Sequence, residues 1–117
     1  MNRGEIWTVA GGGDYTGKPR PVVILQDDRF LATRSVTVCG FTTNPADIPL
    51  VRIRIEPSEL NGLDEASRVM ADKITTVRRS RLAKRIGQLT DEEMTSLERA
   101  ILVFLGFAGD SPAPEEA

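Results

Sequence analysis

Up to position 89 the apolar residues come in short runs rich in valine and isoleucine, each closed by proline, glycine or a cluster of polar groups. Residues 5–9, Glu-Ile-Trp-Thr-Val, alternate polar and apolar, the period of a strand covered on one face. Val22-Val23-Ile24-Leu25 is continuous, which predicts a strand covered on both faces. Pro21 suits its beginning, because proline donates no ladder hydrogen bond. Residues 35–41 form a third β-branched run, stopped by Asn44-Pro45. Val51-Arg52-Ile53-Arg54-Ile55 alternates cleanly, predicting the aliphatic residues inward and both arginines outward and solvated. Residues 68–77 read as a strand with Val69, Ala71 and Lys73 on one face and Met70, Asp72 and Ile74 on the other. Residues 84–89 read as a short last strand. Residues 57–62 and 80–83 predict single helical turns, the first stopped by Asn61-Gly62.

One helix follows. Thr90 with Glu93 three residues later is a capping-box signature, and Asp91, Glu92 and Glu93 crowd the turn where the helix dipole favours negative charge. Met94, Leu97, Ile101, Phe104 and Leu105 recur at helical spacing as one apolar face, and Gly106 ends it. Short strands followed by one amphipathic helix predict a mainly β fold: a small antiparallel barrel, which leaves few edges exposed, closed by the helix. The expected organisation is a single domain over residues 1–108 and a flexible acidic tail over 109–117.

Composition narrows the chemistry. The chain has 117 residues, one cysteine and no histidine, so it forms no internal disulfide and offers no cysteine-based zinc site; no metal and no cofactor are expected. Proton transfer must run without the usual imidazole. Cys39 lies in an apolar strand and is expected to be a small buried hydrophobe. No signal peptide or membrane span is visible, so a cytoplasmic protein is expected. Net charge is −2, which argues against a generic polyanion binder, but the charges are segregated. Residues 68–85 hold seven bases and one acid, Asp72, whereas residues 86–117 hold seven acids and one base, Arg99. Arg78, Arg79, Arg81, Lys84 and Arg85 read as a solvated loop unless the fold brings them near Arg20.

Two segments set polar groups where a loop meets an apolar strand. In Gly17-Lys18-Pro19-Arg20-Pro21-Val22-Val23-Ile24, Arg20 enters the strand; in Cys39-Gly40-Phe41-Thr42-Thr43-Asn44-Pro45, the two threonines leave one. A guanidinium beside a hydroxyl suits an anionic phosphodiester, with the guanidinium fork matching the phosphoryl oxygens. The glycine-rich loop leading into the first segment, residues 11–18, permits close backbone approach to a ligand. There Tyr15 could stack on a base while Asp14 or Lys18 contacts a nucleotide.

These segments, in this order, resemble the MazF/PemK toxins and, more loosely, the CcdB-like fold those toxins share. Arg3-Gly4-Glu5-Ile6-Trp7 is similar to the family's first strand. Lys18-Pro19-Arg20-Pro21-Val22-Val23-Ile24 is similar to its Arg-Pro-Val motif, and Cys39-Gly40-Phe41-Thr42-Thr43 to the strand ending in its functional threonine. Asp72-Lys73-Ile74-Thr75-Thr76-Val77, Arg85-Ile86-Gly87-Gln88-Leu89 and the close at Leu105-Gly106-Phe107 resemble later landmarks. The resemblance implies an SH3-like barrel, a homodimer, and the toxin of a type II toxin–antitoxin system: a metal-independent endoribonuclease cutting single-stranded mRNA at short sequences. It carries over Arg20 and Thr42 as catalytic, with Thr43 competing for the hydroxyl role or touching RNA beside Asp14, Tyr15 and Lys18. A cognate antitoxin is the implied partner, its acidic segment lying over the basic loop region and Arg20. Many members have Gly-Ser-Glu-Gln before the arginine; this chain does not, which leaves its RNA preference open. The alternative is a CcdB-like toxin that poisons DNA gyrase through its last helix. A peptide-binding SH3 adaptor is disfavoured by few aromatics, one Trp, one Tyr and four Phe.

Overall fold

A computed structural model describes residues 1–10, 19–30, 32–44 and 50–108. Among them are six strands: β1 (Glu5–Val9), β2 (Arg20–Ile24), β3 (Ser35–Thr42), β4 (Arg52–Ile55), β5 (Ser67–Arg78) and β6 (Leu82–Gln88). One helix, α1 (Asp91–Phe104), follows, and short 3-10 turns occupy Asp28–Phe30 and Arg79–Arg81. The strands form one antiparallel sheet in the order β4-β5-β3-β2-β1-β6.

The mainly β fold with one C-terminal helix is as the sequence predicts. The barrel is a curled sheet whose two edges meet through a turn rather than a ladder. The chain leaving β4 makes an α-turn, Gly62 N–H to Ser58 carbonyl at 3.0 Å, and the Leu60 carbonyl accepts the Gln88 N–H at 3.0 Å from the opposite edge. Asn61, only 2% exposed, organises this turn. Its side-chain oxygen accepts the Ser58 and Leu63 N–H groups, and its amide donates to the Glu56 carbonyl. Two glycines permit the contact: Gly62 has φ +68°, and a Cβ on Gly62 or Gly87 would strike backbone atoms of Ile86 or of Leu60 and Asn61.

β2 is buried on both faces, as its continuous apolar run requires. Val23 joins Ile6, Cys39, Phe41, Val69 and Leu97 in one core; Val22 and Ile24 join Val9, Val36, Val38 and Leu82 in a second core across the sheet. α1 packs over β4 and β5 through Met94, Leu97 and Ala100. Its capping box forms as expected, with Thr90 Oγ1 accepting the Glu93 N–H at 3.1 Å and Glu93 Oε1 accepting the Thr90 N–H at 2.9 Å. At the other end Gly106, at φ +83°, closes a Schellman motif: Phe107 N–H bonds the Leu102 carbonyl and Gly106 N–H the Val103 carbonyl.

Four sequence expectations are corrected. Phe104 and Leu105 are about half exposed, and Ala100 joins Met94 and Leu97 on the buried side of α1 in their place. The second helical turn lies at Arg79–Arg81, and β6 begins at Leu82. Lys73 does not share the buried face of Val69 and Ala71 but is exposed. β3 and β5 change register around Gly40, with Phe41 opposite Val69 and Cys39 opposite Ile74. The four β5 residues between those pairs form a bulge that bends the strand and switches its facing. Arg52, expected outward, turns back into an ion pair described below.

Candidate active site

The Arg20 and threonine segments converge because their strands are neighbours. β2 pairs with β3 as Val22–Gly40, Val23–Cys39 and Ile24–Val38. Continued by two residues, that register sets Arg20 level with Thr42, on one face of the sheet by strand periodicity. Arg20, Thr42 and Thr43 line one hollow of about 310 Å³, with Pro19 and Phe41 in its wall. Thr42 Oγ1 accepts the Asn44 N–H at 3.1 Å, which orients the hydroxyl and leaves its proton to be donated.

Asp64, Glu65 and Ser67 line this hollow as well. Sequence reasoning missed the two carboxylates. They sit in a polar loop before β5 that carries no motif, and only the fold brings them into the same hollow as Arg20. Asp14, Tyr15 and Lys18 lie outside the described residues.

Arg20 also lines a second hollow, of about 420 Å³, which shares Pro21 and Phe41 with the first. Its walls include Val9, Val22, Met70, Ile74, Asp72 and Lys73, the last four from the bend of β5. Lys73 is therefore one member of the basic stretch that the fold does bring to Arg20. Arg81 lies closer to Arg20 than sequence separation suggests, because Val9 pairs with Arg20 on one side and with Leu82 on the other.

Asp72 is held from behind. Arg52 Nε meets Oδ1 at 3.2 Å and Nη2 meets Oδ2 at 3.1 Å, a two-point fork between side chains 12% and 18% exposed. The Arg52 hydrogen bonds hold the Asp72 carboxyl below the ordinary aspartate range against the upward push of burial. The same bonds raise Arg52. Strand alternation carries no sign of this pair, since its partners stand 20 residues apart and meet only across the β4–β5 ladder. Arg54 behaves as expected, exposed and paired locally with Glu56. Cys39 is buried as expected; burial, aided by the Asp72 charge, pushes its thiol up to about 12, so it is no nucleophile at neutral pH. Among the described residues no three His, Cys, Asp or Glu side chains cluster as a metal site needs. No helix among them is long and apolar enough to cross a membrane.

The sequence profile of the PemK-like, MazF-like toxins of type II toxin–antitoxin systems matches residues 2–105. A protein named probable endoribonuclease MazF from Mycolicibacterium smegmatis is 59% identical over 109 residues, covering 93% of this chain and all of that protein. The endoribonuclease MazF of Staphylococcus saprophyticus is 31% identical over 112 residues, covering 91% of this chain and 92% of the relative. Among solved structures, an endoribonuclease from a mycobacterial species in complex with its cognate antitoxin shares the fold. It superposes with a TM-score of 0.75 at 24% identity, covering 93% of this chain and 98% of that one.

Proposed function

From a chain that belongs to the PemK-like, MazF-like toxins of type II toxin–antitoxin systems, we propose a metal-independent endoribonuclease that cuts single-stranded RNA at the Arg20–Thr42 hollow. The observation carrying this reading is the convergence of Arg20 with Thr42 and Thr43 on one concavity from two adjacent strands.

RNA brings its own nucleophile. The 2′-hydroxyl attacks the adjacent phosphorus, forming the new O–P bond of a 2′,3′-cyclic phosphate as the 5′-oxygen leaves with a proton. An intramolecular nucleophile needs alignment rather than generation, which is why no metal is called for. Charge gathers on the phosphoryl oxygens in the transition state, and the Arg20 fork is the group suited to receive it. Thr42 donates a neutral hydrogen bond to the same oxygens, its lone pair already engaged by Asn44. Thr43, exposed at the lip of the hollow, contacts the backbone alongside. A guanidinium is a poor base, so the main role of Arg20 is charge stabilisation. The neighbouring 420 Å³ hollow, walled by aliphatic side chains and edged by Asp72 and Lys73, has room for a flanking base.

In this reading the protein acts in the cytoplasm as a homodimer. Its activity is masked by a cognate antitoxin whose acidic segment covers Arg20, in keeping with the antitoxin complex solved for a relative. The gyrase-poisoning alternative finds no support, since the relatives are named endoribonucleases. Purified protein incubated with mRNA in EDTA tests the proposal. The expected products carry 5′-hydroxyl and cyclic-phosphate ends at a recurrent sequence, and Arg20→Ala loses about 10²–10³-fold in kcat. Intact RNA with wild-type protein, or undiminished turnover by Arg20→Ala, would refute it.

A further inference from the structure

A second cationic hollow lies at the opposite end of β3. Arg34, Ser35, Arg78, Arg79 and Ser80 line a concavity of about 630 Å³, with no carboxylate in its wall among the described residues. It is assembled by the ladder, in which Ser35 faces Arg78, and by the backbone bond from Arg79 N–H to the Arg34 carbonyl at 2.8 Å. Arg79 is anchored there, its Nε donating to the Thr33 carbonyl at 2.9 Å. Arg34 and Arg78 are exposed, and neither forms an ion pair among the described residues. The other half-buried or exposed arginines of β4 and its flank, Arg52 and Arg54, are both paired with acids. Like charges gathered at one site repel each other, and a polyanion relieves that repulsion.

Both cationic hollows lie along β5, from the end of its pairing with β4 at Arg52–Met70 onward. Lys73, Thr75 and Val77 line the hollow beside Arg20, and Arg78 and Arg79 line the distant one. The exposed residue between Thr75 and Arg78 is Thr76, hydroxyl-bearing and uncharged. From the level of Thr42 to Ser35 is seven residues of β3, about 23 Å at strand rise. That spans several nucleotides of an extended single strand.

We propose that the Arg34–Arg78–Arg79 hollow is a distal phosphate-binding subsite for the RNA backbone, reached by the strand that leaves the Arg20 hollow along β5. It rests on the endoribonuclease reading and adds to it a substrate-length requirement. Guanidinium forks suit phosphodiester oxygens, and the flanking serine hydroxyls add donors without imposing sequence. The subsite strengthens binding and leaves the choice of bases to the hollows beside Arg20.

The test uses the full chain and two RNAs centred on the mapped cleavage sequence, one of about 6 and one of about 20 nucleotides. Wild-type protein is expected to prefer the longer RNA in kcat/KM by about 10-fold or more, through KM. In Arg34→Gln/Arg78→Gln that ratio falls towards 1, and the slope of log KM against log salt for the long RNA becomes shallower by about 1.4, two contacts at about 0.7 each. Arg34→Lys/Arg78→Lys restores the slope. Equal losses on both RNAs, or an unchanged ratio and slope, overturn the subsite while leaving the nuclease reading intact. Absence of cleavage by the wild type overturns both. Unchanged RNA kinetics with lost binding of a fluorescent polyglutamate peptide overturn it in favour of an acidic-peptide site.

Discussion

Removing Arg52 should destabilise this protein far more than the loss of a surface arginine. The guanidinium makes two charge-assisted bonds to Asp72, and both side chains are more than four-fifths covered. Two unit charges about 4 Å apart attract by about 4 kcal/mol at an effective dielectric of about 20. In the folded protein that attraction is offset by the cost of taking both ions out of water. In Arg52→Ala the attraction is gone while Asp72 stays confined between β5 and the hollow, so truncation should cost about 3 kcal/mol. At roughly 4 °C per kcal/mol for a chain of this size, Tm should drop by about 12 °C. Urea denaturation followed by Trp7, the sole tryptophan, reads the change directly. Arg52→Met/Asp72→Leu should return to within about 1 kcal/mol of wild type, because an apolar pair of similar volume leaves no stranded charge. The pH dependence has a fixed sign. Asp72 is held below its unfolded value, so its contribution is fully present above about pH 4 and is lost as pH falls through the folded value. Asp72→Asn should therefore flatten the acid limb of the stability curve. A loss under about 1 kcal/mol in Arg52→Ala, with a coupling energy under about 0.5 kcal/mol in the double-mutant cycle, would refute the account.

The two threonines can be separated by activity. Thr42→Val should lower kcat by about 10-fold, the worth of one neutral hydrogen bond, while Thr43→Val should act mainly on KM; the reverse pattern in single-turnover cleavage would reassign the hydroxyl role. Cys39 should resist iodoacetamide under native conditions and react once urea unfolds the sheet, because the thiol is fully buried and its ionisation is displaced to about 12; rapid native labelling by mass spectrometry would contradict this. Gly87→Ala should cost about 3 kcal/mol, since the added methyl meets the backbone of Leu60 and Asn61 rather than a side chain able to turn aside. A melting temperature within a degree or two of wild type would show that the seam between the sheet edges is looser than described.

Local patterns made most of the strands and the whole helix legible. Continuous apolar character marked β2 as covered on both faces, and Thr90 with Glu93 marked the start of α1 within a residue. Patterns failed where a long-range contact reversed a local rule. Arg52 sits on the formally outward side of an alternating strand, yet a carboxylate across the ladder draws it in. Lys73 lost its place on the buried face because the β5 bulge shifts strand parity, and no residue-level signal announces that bulge. Phe104 and Leu105 satisfy helical periodicity but stay about half exposed, since periodicity fixes a helix face and not how far along it a neighbour covers that face.

The candidate site divides in the same way. Arg20 at a strand start and Thr42-Thr43 at a strand end were visible in one dimension, because proline, glycine and β-branched runs mark where strands begin and stop. Their meeting in one hollow depended on β2 and β3 being antiparallel neighbours in a particular register. Asp64 and Glu65 in the hollow with Arg20, and Asp72 held in place by Arg52, were likewise decided by strand order. Sequence by itself determined which residues could start, stop and cover each element, since those preferences act within a few residues. Only the tertiary structure decided which charges face one another, because that depends on contacts between residues far apart along the chain.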